Sequence, residues 1–300
     1  MALSRPAEGH LAMLVFSLLV AASFSFGKRI ANDIDPGVLT LLRFVIAAAV
    51  IAALVARLKR FDRRALVAPW RYLLIGGLFT IYFVTMFEGL KTATPVSTAA
   101  VFTLTPLMAA GFGWLILRQR TGPRTALALV MGAAGALWVI FDADPRRLMA
   151  FAIGRGEAIF FAGCVAHAIY PVLVRRLNRG EPALVFTLGM MLAGILCLAV
   201  YAGPELLRTD LAALPGRVWA VLLYLSIAAS AVTFFLVQFA ALRLPAAKVM
   251  AYTYLVPSWV GLWEIALGGG LPRPAILAGI ALTVLALILL LEQEPAVPAR

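Results

Sequence analysis

Charged residues in this chain stand in short clusters, and between clusters the sequence runs for about 20 apolar residues at a time. That is the length a helix needs to cross roughly 30 Å of hydrocarbon. The stretch from Val218 to Leu242, for example, carries no charged side chain from end to end. In lipid the backbone polar groups must be satisfied within the span, so such runs become helices. The alternating apolar and polar pattern of a membrane β-strand is not found in them. Composition agrees: 63% of residues are hydrophobic and 13% charged, where a soluble chain is nearer half and a quarter. The formal charge of +12 therefore reads as loop topology and not as a nucleic-acid surface.

The runs are expected as about ten spans: 10–27, 36–57, 69–90, 95–117, 123–141, 154–177, 182–203, 217–242, 246–267 and 273–291. Short turns such as "DIDPG", "DADPR", "RGEPA" and "LPGR" join them and leave no room for a soluble domain. Cys164 and Cys197 both fall inside apolar runs. They read as small packing hydrophobes, with neither a disulfide framework nor a metal site implied.

One irregular passage is spelled twice. "FEGLKTATPVSTAAVFTLTPLM" at 87–108 is answered by "FAALRLPAAKVMAYTYLVPSWV" at 239–260, and "GAAGALWVI" at 132–140 by "AGIALTVLAL" at 278–287. A five-span unit crosses the membrane an odd number of times, so a second copy enters from the opposite side. The expected fold is an all-α membrane protein of ten transmembrane helices, built as two five-helix inverted repeats around a central cavity. The first repeat is placed at 1–147, the second at 148–294, and a cytoplasmic tail at 295–300.

Loop charge is an independent test. With the N-terminus inside, the loop holding Arg57, Lys59, Arg60, Arg63, Arg64 and Arg71 faces a counterpart with only Arg208 and Arg217. Arg118, Arg120 and Arg124 answer Arg273; Arg175, Arg176 and Arg179 answer Lys28 and Arg29; Arg243 and Lys248 answer Lys91. In each pair the inside loop is the more basic, as opposite orientations require. The expected location is a bacterial-type inner membrane, multi-pass, with both termini cytoplasmic.

"SFSFGKRI" and "DPGVLTLLRFVIAAAVI" in the first two spans, "GEAIFFAGCVAHAIYPVLVRRL" in the sixth and the Leu-x-Pro passages of the fourth and ninth resemble the EamA-type branch of the drug/metabolite transporter superfamily. The resemblance covers almost the whole chain in order. It implies a ten-helix carrier of small metabolites, many such carriers being exporters of amino acids. Two departures stand out. His167 occupies a place where family members often have Trp, which bears on substrate choice. "LRQRTG" and "LGGGLP" follow the fourth and ninth spans, where an acidic residue is usual.

The candidate site residues follow from polarity within spans. His167 is the histidine well inside a run, with Cys164, Tyr170 and Pro171 on its face at helical spacing. Pro106 and Pro257 fall midway through the fourth and ninth spans, and paired interruptions of this kind point to a midplane site. Pro171 adds a third kink. Around the breaks stand Thr98, Phe102, Thr103 and Thr105, and Tyr252, Thr253 and Tyr254. Tyr82 and Thr85 share a face of the third span, and Ser226, Ser230 and Thr233 form a hydroxyl stripe on the eighth. The substrate-binding candidates are Tyr82, Thr85, Thr98, Phe102, Thr103, His167, Tyr170, Ser230, Thr233, Tyr252 and Tyr254. Each has a plainer reading: hydroxyls bonded to their own helix or bonded between helices, and a neutral histidine bonded to a neighbour. Glu88 and Glu264, near helix ends, read as interfacial or ion-paired ahead of direct coupling, and Arg43, about 10 Å into the second span, as scaffold ahead of substrate contact. Gly132, Gly135 and Gly279 suit the fifth and tenth spans to packing or dimer contact.

Hydroxyls and aromatic rings with almost no fixed charge suit a neutral or zwitterionic solute with an apolar side chain. The expected function is secondary export of small metabolites, amino acids including aromatic and hydrophobic ones, by alternating access. The partners are that solute and the lipid bilayer, with no nucleic acid, no metal and no cofactor. A multidrug or lipophilic-cation exporter is the first alternative. An intramembrane lipid-modifying enzyme is the alternative from another class, but no HExxH or GxSxG constellation supports enzymatic chemistry.

Overall fold

The computed structural model describes residues 4–58, 63–268 and 273–291. Lys59 and Arg60, part of "LGGGLP" and the tail expected at 295–300 lie outside the described residues.

Sequence punctuation sets the helix starts. In α1 (Arg5–Ile30) the Ser4 hydroxyl accepts the N–H of Ala7, just ahead of Pro6. In α2 (Pro36–Arg57) Asp35 accepts the N–H groups of Gly37 and Val38 at 2.8 and 3.0 Å. That places a carboxylate on the positive end of the helix, with a proline where no amide donor is needed. α3 (Trp70–Thr92) follows, then α4 (Pro95–Phe102) and α5 (Thr105–Leu117), α6 (Pro123–Ile140) and the short α7 (Pro145–Met149). The chain continues through α8 (Arg155–Leu177) and α9 (Ala183–Arg208) to α10 (Gly216–Ser226). A π-helical turn over Ile227–Val232 joins α10 to α11 (Thr233–Ala241). α12 (Ala246–Ala251), a 3₁₀ turn over Tyr252–Leu255, α13 (Val256–Ala266) and α14 (Pro274–Leu291) complete the order.

Among the described residues 8 helical runs are long and apolar enough to cross a membrane. The fourth predicted span is the pair α4–α5 and the eighth is α10 through α11. The ninth falls on α12, the 3₁₀ turn and α13, and the tenth on the 18-residue α14. Leu115, Val130, Leu192 and Val200 face outward, each more than half exposed. A large apolar outer surface of this kind belongs in lipid.

Lipid supplies no hydrophobic drive between helices, so close packing must come from small residues. A Cβ built on Gly76 of α3 would stand 2.7 Å from the Gly194 nitrogen of α9, and one on Gly89 of α3 would stand 2.6 Å from the Gly156 carbonyl of α8. Gly135 of α6 and Gly279 of α14 approach each other in the same way, at 2.6 and 2.9 Å. The fifth and tenth predicted spans thus meet within the chain through the glycines singled out for packing. They run antiparallel, since Trp138 Nε1 donates to the Ala275 carbonyl at 2.9 Å. α3 and α8 are also antiparallel, with Arg71 at Leu177 and Gly89 at Gly156.

Candidate functional site

The two proline breaks meet. Pro106 has no N–H for the Phe102 carbonyl, and Thr105 Oγ1 donates to that oxygen at 2.7 Å instead. Thr103 Oγ1 donates to the Ala100 carbonyl at 2.6 Å, closing the end of α4. In the second break the Tyr254 carbonyl accepts from Thr283 of α14 at 3.1 Å. The hydroxyls of Thr105 and Thr253 stand 3.3 Å apart, so each interrupted helix touches the other at its interruption.

Beside this junction lies a cluster of rings on α3, α4, α8 and α11. His167 lies tilted against Tyr82 with ring centroids 4.3 Å apart and stands 5.1 Å from Phe102 and 5.6 Å from Phe79. Tyr170, one helical turn on, is 4.2 Å from Phe79, and Phe79 is 4.4 Å from Phe234. Phe83 extends the cluster, at 4.6 Å from Tyr82 and 5.4 Å from Phe234. Pro171 follows Tyr170 inside α8.

The cluster is unusual for its polar atoms. The hydroxyls of Tyr82 and Tyr170, Nδ1 of His167 and Oε1 of Gln238 are buried without a hydrogen-bond partner. Ser23 and Ser25 on α1 are in the same condition. A buried polar group left unpaired costs on the order of 1–3 kcal/mol, so a concentration of them in one place calls for a function.

Arg43 closes one edge. Its side chain is 0% exposed. Nε donates to Ser230 Oγ and Nη2 to the Ala229 carbonyl at 2.5 Å, both on the π-helical turn. The guanidinium lies 3.9 Å over the Phe83 ring, a cation–π contact. Nη1 has no partner, and Arg43 forms no ion pair among the described residues.

Not every candidate joins this group. Tyr82, Phe102, His167 and Tyr170 do, and Ser230 reaches it through Arg43. Thr233 donates to the Ala229 carbonyl at 2.8 Å, Thr98 to the Thr94 carbonyl at 2.8 Å and Thr85 to the Ile81 carbonyl at 2.7 Å, each within its own helix. Tyr252 meets His10 of α1 at 3.1 Å. Tyr254 points the other way, its hydroxyl donating to the Leu129 carbonyl at 3.3 Å and its ring against Gly132. Two residues apart on a helix, these tyrosines cannot share a face.

The carboxylates within spans are paired at helix ends: Glu88 with Lys91 at 2.7 Å and Glu264 with Arg29 at 3.7 Å. An apolar groove of about 620 Å³ opens between α3 and α9, lined by Trp70, Leu73, Leu188 and Leu192. It lacks the convergent polar groups that orient a solute. The sequence reading passed over Phe79, Phe83, Phe234 and Gln238. Gln238, an amide inside a span, was a signal that could have been taken. The phenylalanines look like any other core residues.

The family described as the EamA-like transporter family matches this chain twice, over residues 7–141 and 154–292. An uncharacterized transporter, YyaM, from Bacillus subtilis (strain 168) is 26% identical over 251 residues, covering 83% of this chain and 82% of the relative. An uncharacterized transporter from Archaeoglobus fulgidus is 23% identical over 266 residues, covering 85% and 87%. A solved crystal structure 24% identical in sequence superposes with a TM-score of 0.72, covering 95% of this chain and 96% of the other, a likeness of fold.

Proposed function

Since this chain belongs to the EamA-like transporter family of the drug/metabolite transporter superfamily, we propose that it is a secondary transporter that exports small metabolites, amino acids with aromatic or hydrophobic side chains foremost. The solute site is the ring cluster of Tyr82, Phe102, His167 and Tyr170. One observation carries this reading: unpartnered buried polar atoms concentrate among aromatic faces, on elements drawn from both family matches. Rings accept an apolar side chain, while hydroxyl, imidazole and amide atoms stand ready for an ammonium or carboxylate.

The proposed architecture is ten spans in two inverted five-helix repeats, 1–147 and 148–294, rocking against each other. The double family match, the meeting of the two broken helices and the antiparallel run of α6 and α14 support it. Lys and Arg bias supports both termini in the cytoplasm and a bacterial-type inner membrane. A lipophilic-cation exporter would want a free carboxylate at depth. Glu88 is hydrogen-bonded to Lys91 and Glu264 stands 3.7 Å from Arg29 without a hydrogen bond, both near a helix end and away from the ring cluster, so amino-acid export is the better reading.

The test is counterflow of labelled phenylalanine, tyrosine, leucine and alanine into liposomes holding the purified protein, at two pH values, with and without a membrane potential. Accumulation of the aromatic and branched substrates above protein-free liposomes is expected. Flux of none of them would overturn the substrate assignment.

A further inference from the structure

We propose that Arg43 is the carboxylate anchor of the solute site, so that the transporter selects molecules bearing a carboxylate and rejects the corresponding amides and simple amines. The inference rests on the reading of the ring cluster as the solute site and assigns its specificity.

The argument starts from the cost of the charge. A guanidinium stays protonated in any protein environment, and one taken out of water is tolerated when its donors and its charge are both answered. At Arg43 the first demand is met in part and the second is not. Ser230 Oγ and the Ala229 carbonyl take Nε and Nη2, and the Phe83 ring faces the cation from 3.9 Å. These are dipoles and a quadrupole, which soften a charge without neutralising it. Nη1 is buried without an acceptor. Glu88 and Glu264 lie nearer other cations, Lys91 at 2.7 Å and Arg29 at 3.7 Å, and neither pairs with Arg43.

The position of the unanswered group matters as much as its chemistry. The Phe83 ring under the guanidinium is 4.6 Å from Tyr82, and Tyr82 is 4.3 Å from His167. The free donor therefore borders the same rings that would take an apolar side chain. With Nε and Nη2 held, Nη1 offers a carboxylate a charge-assisted hydrogen bond from a cation that has no counter-ion. A cationic solute, by contrast, would have to enter beside an uncompensated positive charge at low dielectric. Ser230 and Ala229 act as positioning residues: they hold two of the three nitrogens and leave the third without a protein partner.

The test compares matched probes on the native protein in liposomes: L-phenylalanine, L-phenylalaninamide and phenethylamine, with leucine and leucinamide as a second series. Each is scored by competition against counterflow of labelled phenylalanine. The carboxylates are expected to compete at least about 10-fold better than the amides and amines. Arg43→Lys keeps a charge but loses the planar group that Ser230 and Ala229 hold in place, and it is expected to weaken the carboxylates while leaving the amides unchanged. Its thermal stability in detergent is read in parallel, and so is Ser230→Ala, which removes the Nε partner and keeps the guanidinium. Equal competition by acid and amide in the native protein would overturn the anchor while leaving amino-acid transport standing. Absence of flux for every probe would overturn the site reading itself and the anchor with it.

Discussion

Cutting the buried ion pair at one end of the bundle tests how the two halves are held together. Arg71, at the start of α3, and Glu181, in the turn between α8 and α9, stand 2.6 Å apart, with each side chain 1% exposed. Arg71 also donates to the carbonyls of Leu177 at 2.5 Å, Val67 at 2.8 Å and Ala68 at 3.2 Å. Glu181 accepts the Arg179 N–H at 2.6 Å. Every strong donor and acceptor is used, so removing one partner strands the other. Arg71→Met or Glu181→Leu alone is expected to cost about 3–5 kcal/mol. The double substitution Arg71→Met/Glu181→Leu is expected to cost far less than the sum, because it strands no charge. The measurement is a double-mutant cycle of reversible unfolding in mixed micelles.

Proton linkage gives a second reading of the same pair. Burial pushes the Glu181 carboxyl up, but the Arg71 guanidinium and the Arg179 N–H outweigh it and hold the group below the ordinary glutamate range. Its contribution is therefore full above the unfolded value of about 4.3 and is lost as pH falls from there through the lower folded value. The Glu181→Gln variant should lose this part of the acid dependence. Single substitutions each costing under about 1 kcal/mol, with additive effects, would refute the argument and place the pair among weak surface bridges.

Three further outcomes are expected. Gly279→Ala would bring a methyl to 2.9 Å from the Gly135 carbonyl and should cost about 1–3 kcal/mol by overpacking, read as a lowered unfolding midpoint in detergent; Gly111→Ala, whose Cβ meets nothing within 4 Å, is the matched control. Thr105→Val strands the Phe102 carbonyl and should cost about 1–3 kcal/mol, whereas Thr105→Ser should restore most of it. His167→Gln and Tyr82→Phe, which keep most of the side-chain volume, should lower phenylalanine counterflow several-fold while leaving the unfolding midpoint near the native one; normal flux in both would remove those side chains from the solute site.

The helix boundaries were legible because charge and proline mark them: Pro36, Pro95, Pro123 and Pro274 each stand at a helix start. The breaks near Pro106 and Pro257 were legible for the same reason. The π-helical turn at Ile227–Val232 carries no proline or glycine and left no local mark. The partner of Arg43 was equally out of reach, since Ser230 lies 187 residues along the chain. Most of the candidate aromatic and hydroxyl side chains are buried. Helical phase then divided them: Tyr82 and His167 face each other, while Tyr254 turns toward α6 and α14.

A π-helical turn holds one residue more than an α-helix needs for the same rise, and that surplus has a genetic consequence. An in-frame loss of a single codon within 227–232 would return the span to regular geometry and leave Phe234 and Gln238 on the sides they now occupy. The seat for the arginine would go, because the Ala229 carbonyl and the Ser230 hydroxyl would be drawn back into the helix. Among natural relatives, chains that lack the extra residue are accordingly expected to lack an arginine at the position of Arg43, a covariation that sequence comparison can count directly.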